Sequence, residues 1–129
     1  EYDYYTTTKG VLEKVKAHVG DVDFAVQPEL VSLLSSRNFG RYADEKGEMK
    51  VCFISNNDIT GGNSGSAMFN SKGELLGLAF DGNWEAMSSD ILYEPKMQRT
   101  IGVDVRYILF MIEKYGKAGN LIKELNIIN

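Results

Sequence analysis

The chain has 129 residues, 43% of them hydrophobic and 11% aromatic, enough to bury the core of one domain and too apolar for a disordered segment. A formal charge of -4 and a pI near 5.0, with Lys and Arg scattered along the chain, exclude the basic footprint that nucleic-acid binding requires. The single cysteine, Cys52, excludes an internal disulfide, and no apolar run approaches the ~20 residues of a membrane-spanning helix.

Taken in order, residues 2–8 are aromatic and β-branched and predict a strand, with Lys9-Gly10 as the turn that ends it. Residues 11–19 place Val11, Leu12, Val15 and Val19 at helical spacing, but the bracketing Gly10 and Gly20 leave a strand with a loop open as well. Pro28 suits a first helical turn, so residues 28–36 predict a short helix. A polar turn at 44–48 precedes a predicted strand at 49–55, which contains Cys52 as a buried, inert thiol. Residues 67–69 and 75–80 form the clearest hairpin, joined by Asn70-Ser71-Lys72-Gly73-Glu74 with glycine where positive φ is wanted. The pattern then breaks at residues 81–85, a loop follows at 88–90, then the apolar stretch 91–93 and a strand at 99–103. Asp104 is placed to cap a helix from 105 to 115, ended by Gly116, and residues 120–126 predict a last short amphipathic helix.

Between the strands at 51–54 and 67–69 lies Thr60-Gly61-Gly62-Asn63-Ser64-Gly65-Ser66. A serine flanked by glycines at an exposed bend can act as a nucleophile, and backbone N–H groups free of side-chain bulk can receive a developing oxyanion. Residues 61–66, Gly-Gly-Asn-Ser-Gly-Ser, are all turn formers, so a plain flexible turn is an equal alternative on this stretch alone. The order of strand, Gly-x-Ser-Gly loop, hairpin, a strand closing with Asp81-Gly82 and a terminal helix is that of the second β-barrel of a chymotrypsin-like peptidase. It favours Ser64 as nucleophile.

Residues 60–66, then Gly-Leu-Ala-Phe-Asp-Gly-Asn-Trp-Glu at 77–85, then Gln-Arg-Thr-Ile-Gly-Val-Asp-Val-Arg-Tyr-Ile-Leu-Phe at 98–110, resemble the C-terminal part of the bacterial serine dipeptidyl-peptidase 7/11 family. The similarity runs through essentially the whole chain and is most specific in its middle half; Ala67 stands where a proline often follows the motif. The resemblance implies a mainly-β fold with C-terminal helices, the second barrel half of a chymotrypsin-like double barrel. Residues 1–103 would form this catalytic-serine barrel and 104–129 the terminal helices of one domain. It implies Ser64 as the acylated nucleophile and the N–H groups of Gly62 and Ser64 as the oxyanion hole. Asp81 would bind the substrate's free α-amino group. Gly82 would stand at the mouth of the S1 pocket, where acid-selective relatives carry arginine, so that glycine implies an open pocket for apolar P1 side chains. Trp84 and Glu85 follow that pocket strand; a tryptophan there is expected to be packing rather than chemistry.

A serine triad also needs an imidazole and an orienting carboxylate. The single histidine, His18, does not stand in a setting like the family's catalytic histidine, and an exposed or capping role is expected for it. The base is therefore expected upstream of Glu1, in a larger enzyme of which this chain is a segment inactive by itself. No cofactor or metal is expected. The partners implied are peptides with a free N-terminus, the N-terminal barrel of the same enzyme and a second copy in a homodimer; the location implied is the periplasm or cell surface. The alternative is a non-catalytic β-barrel module that binds extended peptides along a sheet edge.

Overall fold

The computed structural model describes residues 3–88 and 94–128. Five strands, β1 (Tyr5–Thr7), β2 (Lys50–Ser55), β3 (Ala67–Phe69), β4 (Leu75–Gly82) and β5 (Thr100–Asp104), form one antiparallel sheet in the order β1-β2-β5-β4-β3. The helices are α1 (Thr8–Ala17), α2 (Pro28–Ser35), α3 (Val105–Phe110) and the single turn α4 (Gly119–Ile122). Among the described residues the sheet is open, with β1 and β3 at its edges. The described residues of 1–6 and 51–105 make one compact unit and those of 7–50 and 106–129 a second.

In the first unit, β2 pairs with β5 so that Cys52 opposes Val103 and Ser55 opposes Thr100. β5 pairs in turn with β4, Gly77 opposing Asp104 and Gly82 opposing Thr100, with an irregularity between Ala79 and Asp81 that leaves Phe80 as the extra residue of a bulge. Two glycines let side chains lie against the sheet. A Cβ at Gly77 would sit 2.1 Å from the Val103 carbonyl oxygen, and one at Gly102 would sit 2.7 Å from Met68 Sδ and 2.8 Å from Phe53 Cζ. The hairpin turn is the one its residues specify: Asn70 Oδ1 accepts from the N–H groups of Lys72 and Glu74 at 2.9 and 3.0 Å, and Gly73 takes φ 76. Cys52 is half-buried rather than fully buried, and burial pushes its thiol above the usual range, consistent with an unreactive sulfur.

In the second unit the core is Leu34, Phe39, Tyr42, Met49 and Phe110, each at most 2% exposed. Phe110 receives Phe39 and Tyr42 edge-on, with ring centroids 5.7 and 6.2 Å away. The Tyr42 hydroxyl donates to Glu113 Oε2 at 2.6 Å. Burial first, then this carboxylate, raise the Tyr42 phenol from 10.0 to about 12, while the same hydrogen bond lowers the Glu113 carboxyl.

Three expectations from the sequence change here. Lys9-Gly10 is not a turn: the chain turns helical at Thr8, because the Thr7 hydroxyl accepts from the Gly10 N–H at 3.4 Å and caps α1. The helix from 105 to 115 is α-helical only through Phe110 and widens into a π-turn at Met111–Tyr115, where the Gly116 N–H reaches back to the Met111 carbonyl at 2.7 Å. Gly116 keeps an ordinary φ of -75, and Lys117 takes the positive φ of 53; glycine is wanted at 116 because a Cβ would meet the Ile112 carbonyl oxygen at 3.1 Å. The last helix is one turn rather than the span 120–126. Residues 89–93, part of the predicted loop and apolar stretch, lie outside the described residues.

Candidate active site

The connection from β2 to β3 is a tandem of turns hinged on Asn63. Its N–H donates to the Thr60 carbonyl at 3.2 Å, its side-chain oxygen accepts from the Thr60 N–H at 2.9 Å, and its carbonyl accepts from the Ser66 N–H at 3.0 Å. The third residue of each turn is a glycine with positive φ, Gly62 at 94 and Gly65 at 86, as a type II-like turn requires. That requirement explains the spacing of glycines in Thr-Gly-Gly-Asn-Ser-Gly-Ser. Gly61, which needs no such conformation, occupies the remaining corner.

The loop is tied down at both ends. Thr100 Oγ1 donates to the Asn57 carbonyl at 2.7 Å, and on the far side the Gly65 N–H donates to the Ala79 carbonyl at 2.7 Å while the Ala79 N–H donates to Ser66 at 2.8 Å. Ser64 sits between these anchors, exposed, its hydroxyl donating to the Phe80 carbonyl at 3.4 Å, a long and easily exchanged bond. The acceptor is the bulged residue of β4. Neither the Gly62 N–H nor the Ser64 N–H has a partner among the described residues.

One residue beyond the bulge is Asp81, exposed, with Oδ1 accepting from the Gly82 N–H at 2.8 Å. Its carboxylate is thus one residue along β4 from the carbonyl that holds the Ser64 hydroxyl. Asn83 is a polar hub that the sequence did not announce. Its side-chain oxygen accepts from the Arg99 N–H at 2.8 Å, and its amide nitrogen donates to the Met97 carbonyl at 2.9 Å and to Glu85 Oε2 at 2.8 Å. These bonds fix the start of a short 3-10 segment, Trp84–Ser88, against the residues leading into β5. Gly82 faces that segment: a Cβ built on it would lie 2.8 Å from the Ala86 methyl and 3.6 Å from Ile59 Cγ2. Trp84, expected to pack, is 82% exposed.

His18 lies in the other unit, as the C-cap of α1, with its ring stacked on Phe24 at 4.1 Å and 15°. Ser64 with the Gly62 and Ser64 N–H groups lies in the β2–β3 connection, and its hydroxyl bond to Phe80 sets that connection against β4 next to Asp81.

Residues 1–127 match the profile of the Peptidase S46 family. The chain belongs to the peptidase S46 family. It is 60% identical over 127 residues to dipeptidyl-peptidase 7 of Porphyromonas endodontalis, covering 98% of this chain and 15% of that protein. To dipeptidyl-peptidase 7 of Porphyromonas gingivalis it is 58% identical, again over 98% of this chain and 17% of the relative. Porphyromonas endodontalis DPP11, solved in complex with the dipeptide Arg-Glu, superposes on it with a TM-score of 0.89 at 43% identity, over 95% of this chain and 17% of that one. This S46 chain thus spans about a sixth of the length of these relatives.

Proposed function

We infer that this chain carries the nucleophile and part of the substrate pocket of a serine-type dipeptidyl-peptidase, whose remaining catalytic groups come from the rest of the protein. One observation carries the reading: an exposed Ser64 hydroxyl beside two backbone N–H groups, of Gly62 and Ser64, that have no partner among the described residues. Exposed N–H groups with no protein partner are open to a ligand, and such donors in the same loop as a hydroxyl suit an oxyanion.

In this reading a general base outside the chain takes the proton of Ser64. Oγ attacks the carbonyl carbon of the second substrate residue, and the charge on its oxygen is held by the Gly62 and Ser64 N–H groups. The carbon–nitrogen bond breaks, the amine leaves with the proton from the protonated base, and water then hydrolyses the ester to release a dipeptide and regenerate Ser64. Asp81 receives the substrate ammonium. Its carboxylate follows the residue that accepts from Ser64, and a carboxylate–ammonium hydrogen bond rewards only a free N-terminus. Gly82 removes side-chain bulk where the second residue must pass, which favours apolar P1 side chains. The open sheet serves as the second barrel half of a chymotrypsin-like enzyme, acting in the periplasm or at the cell surface.

The test uses fluorogenic dipeptidyl substrates with Leu or Met at P1. Full-length protein should release them, Ser64→Ala should not, and the 129-residue chain alone should stay at background. Peptide binding without cleavage by full-length protein would replace the reading with a binding module. Turnover by the isolated chain would place the base within it.

A further inference from the structure

Gly82 and Ala86 compete for one volume. A Cβ at position 82 would lie 2.8 Å from the Ala86 methyl, closer than two carbon atoms can approach, so a side chain at 82 requires that methyl to move or be absent. The methyl is held in place. Ala86 is 8% exposed, and its N–H donates to the Asn83 carbonyl at 2.9 Å. Asn83 is itself anchored through its amide to Met97, Arg99 and Glu85. On its other side the same volume is bounded by Ile59 Cγ2, 3.6 Å from the virtual Cβ.

In the reading of Gly82 as part of the P1 pocket, residue 86 bounds the volume on the Cβ side of Gly82. We propose that Ala86 is a second determinant of P1 selectivity, coupled to position 82, so that a basic side chain at 82 for acidic P1 residues can be accommodated only when residue 86 is glycine. The proposal rests on the reading of Gly82 as part of the P1 pocket. A larger residue at 86 narrows the pocket toward small P1 side chains, and glycine at 86 opens space for a cation at 82, whose charge then favours a carboxylate at P1.

The experiment is a cycle in the full-length protein: Gly82→Arg, Ala86→Gly, the double variant and Ala86→Val, each measured as kcat/KM on substrates with Ala, Leu, Met, Phe, Asp or Glu at P1. Gly82→Arg alone is expected to lose activity on Leu and gain little on Asp. Adding Ala86→Gly should raise turnover of Asp and Glu substrates by about tenfold over the single variant, a non-additive gain. Ala86→Val should lower the Phe-to-Ala ratio by about tenfold while keeping Ala substrates. Single and double arginine variants within about twofold of each other on Asp, or a P1 profile unmoved by Ala86→Val, would overturn the proposal. The Ala86→Val result stands even where an arginine variant fails to fold. Absence of dipeptide release by the unaltered protein would instead remove the underlying reading; an active parent with an unmoved P1 profile removes only the role of Ala86.

Discussion

Gly62→Ala in the full-length protein separates a loop that is merely a turn from one that presents an oxyanion donor. At φ 94, position 62 is closed to an L side chain, yet a Cβ there meets no atom within 4 Å. The substitution therefore creates no clash and acts through the backbone alone. If the loop holds its shape, the strain costs about 1–2 kcal/mol of stability. If φ relaxes to a negative value, the peptide rotates and the Gly62 N–H turns away from its position, which removes one oxyanion donor. Such a donor is worth about 3 kcal/mol in the transition state, or roughly a hundredfold in kcat. The expected result is a large fall in kcat with KM nearly unchanged, because the donor acts on charge that the ground state lacks. Gly61→Ala is the control: its φ is not positive and a Cβ there also finds open space, so it should retain activity. Steady-state kinetics with a Leu substrate, alongside denaturant melts, measures both quantities. Equal kcat for the two variants, with Gly62→Ala also as stable as Gly61→Ala and therefore relaxed at φ, would refute the oxyanion role of Gly62.

Asp81→Asn should weaken kcat/KM for substrates with a free N-terminus by roughly 10- to 100-fold, the scale of a charge-assisted hydrogen bond, and leave the already poor turnover of N-acetylated substrates unchanged. Gly77→Ala should fail to give a folded sheet, since its Cβ would stand 2.1 Å from the Val103 carbonyl oxygen; a normal melt would contradict the register of β4 on β5. Tyr42→Phe should cost about 1.5–3 kcal/mol at neutral pH by removing the donor to Glu113 Oε2, while Lys114 stays on Oε1 at 3.1 Å. The phenol is raised from 10.0 to about 12 in the fold, so its contribution is complete below pH 10 and is lost as pH rises toward 12; the Glu113 carboxyl is lowered, so its contribution is present above the ordinary carboxylate range and is lost as pH falls through the lowered value. Denaturant melts across pH should show both limbs in the parent protein; in Tyr42→Phe the alkaline limb of this phenol should vanish and the acid limb should shrink, with Lys114 still lowering the Glu113 carboxyl.

What the sequence made legible was local. The Asn70–Glu74 turn, the proline-led α2 and the glycine spacing around Ser64 each rest on residues within a few positions of one another, so turn chemistry and periodicity find them. The run of threonines at 6–8 looked like strand throughout because β-propensity cannot register that the Thr7 hydroxyl would cap a helix instead. Asn83 was invisible for a different reason. Its partners Met97 and Arg99 are 14 and 16 residues away, and only the fold brings them together. The Phe80 bulge that supplies the acceptor for Ser64 likewise arises from register with β5, which no short stretch encodes. For Trp84 the expectation of packing came from its size, but among the described residues nothing covers it.

The central claim is that Ser64 is the nucleophile, and a fluorophosphonate tests it most directly. Full-length protein treated with the reagent and digested should carry one covalent adduct on the peptide containing Ser64, formed faster than on any other serine and prevented by prior incubation with a dipeptide product. Labelling elsewhere, or no labelling of an enzyme that is releasing dipeptides, would contradict it.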